Sequence, residues 1–383
     1  MNNVVISGIG QIPVGEHWEK SLANLSTAAI RAALQDAGNP QPDIVYIGNL
    51  MASSISHQAN LGALVCEAAG LNGVEGTTVE AGEASGAAAL HMGYLALRSG
   101  LADCVLVVGV EKMTDMVGAE VESYMALSGD YDFETMQGIT PAGMAGLLMQ
   151  RYMHQYQTPR DAFGVFPITA HHNAMHNPQA MYRREVDLET YHDAPEGSAM
   201  LKLHDLPSYA DGAAAVVLVN EKYIEDSRKA VRIAASQIAT DTLAVHDRAD
   251  ALAFDAVRIS TEDALAQAGA SLADIDLFEC WDAPSIYGML SLEAAGFAAR
   301  GKGWQFASEQ NLALDGILPI ATMGGIKARG FAPGAAGIYQ VVDAVQQLRG
   351  EAGQNQVAGA QVTMTQALSG AAASAITHIL CRL

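Results

Sequence analysis

Residues 33–44 read ALQDAGNPQPDI, and residues 264–275 read ALAQAGASLADI. Aligned without gaps, Ala33/Ala264, Leu34/Leu265, Ala37/Ala268, Gly38/Gly269, Asp43/Asp274 and Ile44/Ile275 are identical. Each copy has the form of a helix end, a glycine stop, a short loop and the start of a strand. Alanine is abundant, so the alanine matches carry little alone. The shared spacing of Gly, Asp and Ile points to a duplicated unit. Two similar halves, 1–225 and 226–383, then meet near residue 225 in the polar run Asn220–Lys229.

Working outward, short Val/Ile-rich runs read as buried strands: Val4–Gly10, Ile44–Leu50, Cys104–Glu111, Ala213–Asn220, Val231–Ala239, Ile275–Trp281 and Gly359–Thr365. Ala/Leu-rich stretches with helical spacing lie between them, among them Leu22–Ala37 and Ala256–Ala268. Strands that are apolar on both faces and alternate with helices give an α/β fold with sheets covered on both sides. Residues 113–200 break the pattern. They hold ten of the 16 Met, together with His154, His171, His172, His176 and His192. This reads as a large insertion in the first half. Its methionines suit either irregular packing or a flexible apolar binding wall.

The 383 residues are 50% hydrophobic and 16% charged, enough for a large core and too apolar for disorder. Acidic residues outnumber basic ones 42 to 21, for a net charge of −21. No Lys/Arg run exceeds a pair, so neither nucleic acid nor an anionic membrane surface is expected as a partner. The N-terminus reads as a first strand rather than a signal peptide. No apolar run approaches the length that crosses a bilayer. A cytoplasmic location is therefore expected. The four cysteines, Cys66, Cys104, Cys280 and Cys381, form no CxxC pair, so neither a disulfide framework nor a metal site is expected.

Gly8-Ile9-Gly10 after the first strand lacks the third glycine of a dinucleotide fingerprint, since Pro13 stands there. In Glu80-Ala81-Gly82-Glu83-Ala84-Ser85-Gly86-Ala87, a short extended piece enters a helix of small residues. Such a helix can lie against another backbone. Glu83 reads either as an ordinary acid at a helix start or as a carboxylate in a pocket. Two further segments are dense in unusual residues: Glu279-Cys280-Trp281-Asp282, ending a strand, and Met323–Gly337, with Gly324, Gly325, Gly330, Gly334 and Gly337. The glycine-rich loop suits either close approach of a ligand to backbone amides or a tightly packed turn.

Together these segments resemble the thiolase superfamily over essentially the whole chain, with the archaeal and sterol-carrier-protein type the nearest likeness. The matching blocks are Val108–Met113, Asn177-Pro178, Asp211–Ala215, Gly324-Gly325 with the Gly330–Gly337 loop, and Leu348–Gly353. The resemblance implies a duplicated fold of five layers, αβαβα, with a loop domain inserted in the first half. It also implies a homo-oligomer, a dimer or dimer of dimers, and a pocket for coenzyme A or an acyl-CoA with no covalently bound cofactor. The glycines 324, 325, 330, 334 and 370 would approach that ligand. Arg183, Arg184, Lys202 and Arg329 are candidates for its phosphates.

The departures bear on function. Where the family has its nucleophilic Cys, in a Cys-x-Ser-Gly context, this chain has Glu83. Its Glu-x-His-Asp histidine is Trp281 here, ahead of the retained Asp282. The histidine that activates the thiol is Phe331, and the asparagine before the Gly-Gly pair is Ala321. A carboxylate does not readily form a thioester, and a phenyl ring moves no proton. Three readings follow: a non-catalytic, scaffolding subunit of an acyl-CoA complex, beside a small OB-fold, zinc-ribbon acyl-CoA-associated partner; a CoA-ester lyase or acyltransferase of altered chemistry using Glu83; and an acetyl-CoA C-acetyltransferase. For the second, Glu83, Asp282 and the backbone amides of Glu83 and Gly370 are the groups available. His91, on the small-residue helix, is the histidine nearest to the substituted centre in sequence.

Overall fold

The computed structural model describes residues 3–198, 200–224, 229–308 and 310–383. The junction expected near residue 225 lies outside the described residues. Among the described residues there are eleven strands: β1 (Val4–Gln11), β2 (Ile44–Gly48), β3 (Glu75–Val79), β4 (Cys104–Glu111), β5 (Glu196–Ser198), β6 (Leu201–Lys202), β7 (Gly212–Asn220), β8 (Val231–Thr240), β9 (Leu277–Glu279), β10 (Val362–Ser369) and β11 (Ser374–Arg382). The helices are α1 (Leu22–Asp36), α2 (Leu61–Ala69), α3 (Ser85–Ser99), α4 (Gly118–Met125), α5 (Pro141–Tyr156), α6 (Val165–Ala174), α7 (Leu188–Asp193), α8 (Asp255–Ala268), α9 (Ser285–Ala294), α10 (Gly303–Ser308) and α11 (Pro333–Arg349).

Nine strands join in the order β3-β2-β4-β7-β1-β8-β11-β10-β9. The order repeats outward from the centre, where β1 and β8 pair antiparallel with Val4 opposite Ile233. On one side β7 is antiparallel to β1, β4 antiparallel to β7, and β2 parallel to β4. On the other, β11 is antiparallel to β8, β10 antiparallel to β11, and β9 parallel to β10. The two repeated peptides occupy equivalent places, running from α1 into β2 and from α8 toward β9. Gly269 ends α8 with φ 66°, and Gly38 follows α1 with φ 82°, the left-handed conformation expected of glycine stops.

Helices α1 and α2 cover the outer face of the first half through Leu25, Ile30, Leu61 and Val65, against Ile47, Leu106 and Val217. Helix α8 covers the second half through Val257 and Ala264. Between the halves lie α3 and α11, with Leu90, Leu97, Ile338 and Val342 in one cluster. Five layers result. The central helices meet through small residues. A Cβ on Gly86 would lie 2.7 Å from the Gly334 carbonyl, and one on Gly337 would lie 2.8 Å from Ala87 N. No helix among the described residues is long and apolar enough to cross a membrane.

The Met-rich segment forms α4 to α7 and the small β5–β6 hairpin. Met113, Met125 and Met149 are core residues. Met125 and Met144 also line a cavity, so the segment packs and builds a wall at once.

Candidate active site

The cavity lies where the insertion meets the two halves, with a volume of about 220 Å³. Glu83 comes from the approach to α3, Trp281 from the end of β9, Phe331 from the loop before α11, and Ser369-Gly370 from the β10–β11 turn. Tyr209 is carried by the strand-like segment ahead of β7. That segment is fastened to the Phe331 loop: Phe331 N–H donates to Ser208 O at 2.7 Å and Ala210 N–H to Phe331 O at 2.9 Å. The rings of Tyr209 and Phe331 lie 6.1 Å apart, and Trp281 meets Phe331 edge-on at 5.6 Å. Sequence positions separated by more than a hundred residues thus share one wall, with Glu122, Glu134, Met125, Met144, Leu206 and Tyr287 completing it.

Glu83 stands one residue ahead of Ala84, the N-cap of α3, and does not cap that helix. Its Oε2 accepts from Ser369 Oγ at 2.6 Å and from Gly370 N–H at 3.2 Å. Its own N–H donates to Ser369 Oγ at 3.2 Å. Both amides expected as free oxyanion donors are therefore already engaged. Burial pushes the Glu83 carboxyl above the usual carboxylate range, against the pull of the bonds from Ser369 and Gly370. Burial also pushes up Glu122, with Tyr209 beside it pulling the other way. The Tyr209 phenol is driven well above 10, by burial first and then by Glu122. Tyr287 is raised by burial and by the neighbouring Glu83.

Glu83, Trp281, Phe331 and Gly370 converge on the cavity; Asp282, Gly324, Gly325, Gly330 and Gly334 do not line it. Asp282 is buried, and its Oδ1 accepts from Ile326 N–H at 2.6 Å. It pins the glycine turn in place, with burial raising its carboxyl to about 6. Gly325 sits with φ 54° where a Cβ would strike Asp282 Oδ2 at 2.3 Å. At Gly334 a Cβ would lie 2.7 Å from Asn49 Cα and from Val110 O, so only glycine lets α11 pack this closely. These glycines serve close packing of the chain on itself. Gly370 has φ 55°, and a Cβ there would lie 2.4 Å from Ser128 O.

The cations singled out for phosphate are distributed differently. Arg329 is buried in an ion pair with Asp343 at 2.5 Å. The Lys202 ammonium donates to the His192 carbonyl. Arg183 and Arg184 are exposed. His91 donates to or accepts from Ser236 Oγ at 2.9 Å, away from the cavity. All four cysteines lie off the cavity wall. Burial raises every one of these thiols, Cys104 to about 12, so none is a ready thiolate. Tyr209, Tyr287 and Glu122 carry functional groups that sequence reading missed; the available signal for Tyr209 was its place just ahead of the Asp211–Ala215 block.

That block and its neighbours are structural pegs. Asp211 accepts from Met113 N–H at 2.7 Å, Thr114 N–H at 2.9 Å and His17 N–H at 3.0 Å. Glu111 accepts from Leu50, Met51 and Gly334 N–H groups, tying the start of α11 to the end of β2.

The chain is similar to known proteins over its whole length. The thiolase N-terminal domain profile matches residues 4–222, and the thiolase C-terminal domain-like profile matches residues 237–382. The acetyl-CoA acetyltransferase of Methanothermobacter thermautotrophicus is 36% identical over 385 residues, covering 100% of both chains. Sterol carrier protein 2 of Bos taurus is 27% identical, covering 95% of this chain and 69% of the relative. Among solved structures, the Ltp2-ChsH2(DUF35) aldolase superposes with a TM-score of 0.85 at 23% identity, covering 100% of this chain and 98% of the other. The chain belongs to the thiolase superfamily, within its archaeal and sterol-carrier-protein branch.

Proposed function

We propose that the protein is a CoA-ester lyase that makes or breaks a carbon–carbon bond by acid–base chemistry, with Glu83 as the base and no acyl-enzyme. One observation carries this reading: the cavity wall presents a buried carboxyl with raised proton affinity and two phenols, and no thiol, imidazole, ammonium or guanidinium among the described residues. In cleavage of a 3-hydroxyacyl-CoA, the Glu83 carboxylate takes the hydroxyl proton. The Cα–Cβ bond breaks, the former carbinol carbon becomes a carbonyl, and the electron pair passes into the thioester enolate, whose Cα then takes the proton back from Glu83 to give the acyl-CoA. A carboxyl whose proton affinity is raised by burial suits that base. Since the Glu83 and Gly370 amides are engaged, the donors for the enolate oxygen are the phenols of Tyr287 and of Tyr209, the latter turning to it from Glu122. The apolar wall of Met125, Ile139, Met144, Leu206 and Phe331 suits an apolar acyl group.

A fold shared with an aldolase that works beside a DUF35 protein is consistent with this chemistry and with a small acyl-CoA-associated partner. Homo-oligomerisation belongs to the same proposal. The full-length likeness to archaeal acetyl-CoA acetyltransferases favours a second reading, transfer of an acetyl unit between thioesters. The test is to incubate the purified protein with 3-hydroxyacyl-CoA esters of increasing apolar bulk, and separately with acetoacetyl-CoA plus CoA. Release of a carbonyl product, lost by at least roughly 10²-fold in Glu83→Gln, is expected. Thiolysis of acetoacetyl-CoA without such release establishes the second reading. Calorimetric binding of CoA esters with neither turnover leaves a scaffolding subunit.

A further inference from the structure

Gly370, Ala371 and Ala372 have φ angles of 55°, 52° and 62°, so three consecutive residues occupy the left-handed region. Glycine adopts it freely. Alanine rarely does, and two in succession are held there by their surroundings. The turn joins β10 to β11, whose last paired residues are Ser369 and Ser374. Ala373 N–H donates back to Gly370 O at 3.1 Å and closes it.

Behind the turn lies Arg248, its side chain 2% exposed. Nε donates to Thr242 O at 2.8 Å, Nη1 to Ala371 O at 2.8 Å and Nη2 to Gly370 O at 3.5 Å. The guanidinium is thus directed at backbone carbonyls, with the Asp241 carboxylate 3.8 Å away. Residue 370 faces both ways: its carbonyl meets Arg248, and its N–H meets Glu83 Oε2.

We propose that Arg248 is a positioning residue of this cavity: by holding the carbonyls of Gly370 and Ala371 it fixes the left-handed turn whose Ser369 hydroxyl and Gly370 amide orient Glu83. Three carbonyls from two segments need a planar fork of donors, which a lysine ammonium does not supply. The consequence for turnover rests on Glu83 being the reacting carboxyl. The consequence for Glu83 itself does not.

The test is therefore a substrate-free titration of Glu83, followed by carboxyl ¹³C NMR in glutamate-labelled protein, with Glu83→Gln identifying the resonance. The titratable groups facing Glu83 are Tyr209 and Tyr287, with Glu122 and Glu134 on the same wall and Arg248 behind the turn; only Arg248 is altered. Arg248→Lys keeps the charge and removes the fork. Loss of the Gly370 amide bond removes a contact that favours the ionised carboxyl, so the midpoint is expected to rise by about half a pH unit or more. Adding Ala371→Gly and Ala372→Gly lets the turn form without its clamp, and most of that rise is expected to disappear. The triple variant also serves where Arg248→Lys alone does not fold, its midpoint then expected near that of the parent. A folded Arg248→Lys protein with the parent midpoint overturns the proposal, as does a glycine pair that restores nothing. Absence of lyase turnover in the parent removes the catalytic consequence and leaves this titration as decisive as before.

Discussion

At position 83 a carboxyl lines the cavity, the position at which the family resemblance put it. The small-residue helix that follows it, Ser85-Gly86-Ala87-Ala88, identifies the position by its surroundings, whatever residue fills it. Trp281 and Phe331 were legible for the same reason, Trp281 from Glu279 and Asp282 on either side of it and Phe331 from the Gly330–Gly337 block. Tyr209 was not. It reads locally as a lone aromatic ahead of a strand, and only the bridge to Phe331 carries it to the cavity. Asp282 misled in the opposite direction: it neighbours Trp281 in the chain, yet its carboxylate serves backbone amides in the glycine turn. If Tyr209 donates to the enolate oxygen, Tyr209→Phe removes one hydroxyl and leaves the aromatic packing on Phe331 intact. Steady-state kinetics on the 3-hydroxyacyl-CoA are then expected to show kcat lowered by roughly 10²-fold with KM little changed. A fall confined to KM assigns Tyr209 to binding alone.

Among the elements, the seven strands and two helices read from the sequence are all present, with ends shifted by a few residues; the last predicted strand, Gly359–Thr365, runs instead from Val362 to Ser369. These runs were legible because strands covered on both faces are continuously apolar. Strand β3 was missed because it is a polar edge, Glu75-Gly76-Thr77-Thr78-Val79, with mostly exposed residues. Strand β11 was missed although Ile376, Thr377 and Ile379 gave it β-branched character. The small residues of α3 were read as permitting close backbone contact, and α11 makes that contact. Gly86→Val therefore forces α3 off α11, since even its first carbon would lie 2.7 Å from Gly334 O and 3.1 Å from Ile338 Cγ1. Overpacking with backbone displacement is expected to destabilise the fold by about 3 kcal/mol in denaturant titration. Met92→Val, on the exposed side of the same helix, is expected to stay within about 0.5 kcal/mol of the parent.

Over the whole molecule, duplication creates the site: each half supplies one central helix, and the wall is assembled from both. It also buries many charges in pairs and turns, and these set how stability depends on pH. Burial raises Glu111 to about 7 and Glu279 to about 8, with Asp343 beside Glu279 adding to its rise. Asp282 and Asp343 are raised by burial to about 6. Over these windows the native state holds more protons than the unfolded chain, so stability falls as pH rises. Burial lowers His171 to about 4 and His378 to about 3, from an ordinary 6.5. Below 6.5 the native state therefore holds fewer protons on these rings, and stability falls as pH drops. The two slopes oppose each other on the acid side. Above 6.5 Glu111 and Glu279 dominate, until Lys327, lowered by burial to about 8, begins to oppose them at the top of the range. Thermal unfolding is thus expected to lose several degrees between about pH 6.5 and about pH 8.5. The net charge of −21 adds a self-repulsion of the same sign, but salt screens exposed charges and leaves buried ones largely untouched. At about 0.5 M salt the decline above pH 6.5 is expected to persist, and Glu279→Gln is expected to flatten it. A midpoint that stays level from about pH 6.5 to 8.5 in high salt would assign the whole effect to surface repulsion and remove the buried carboxyls from the account.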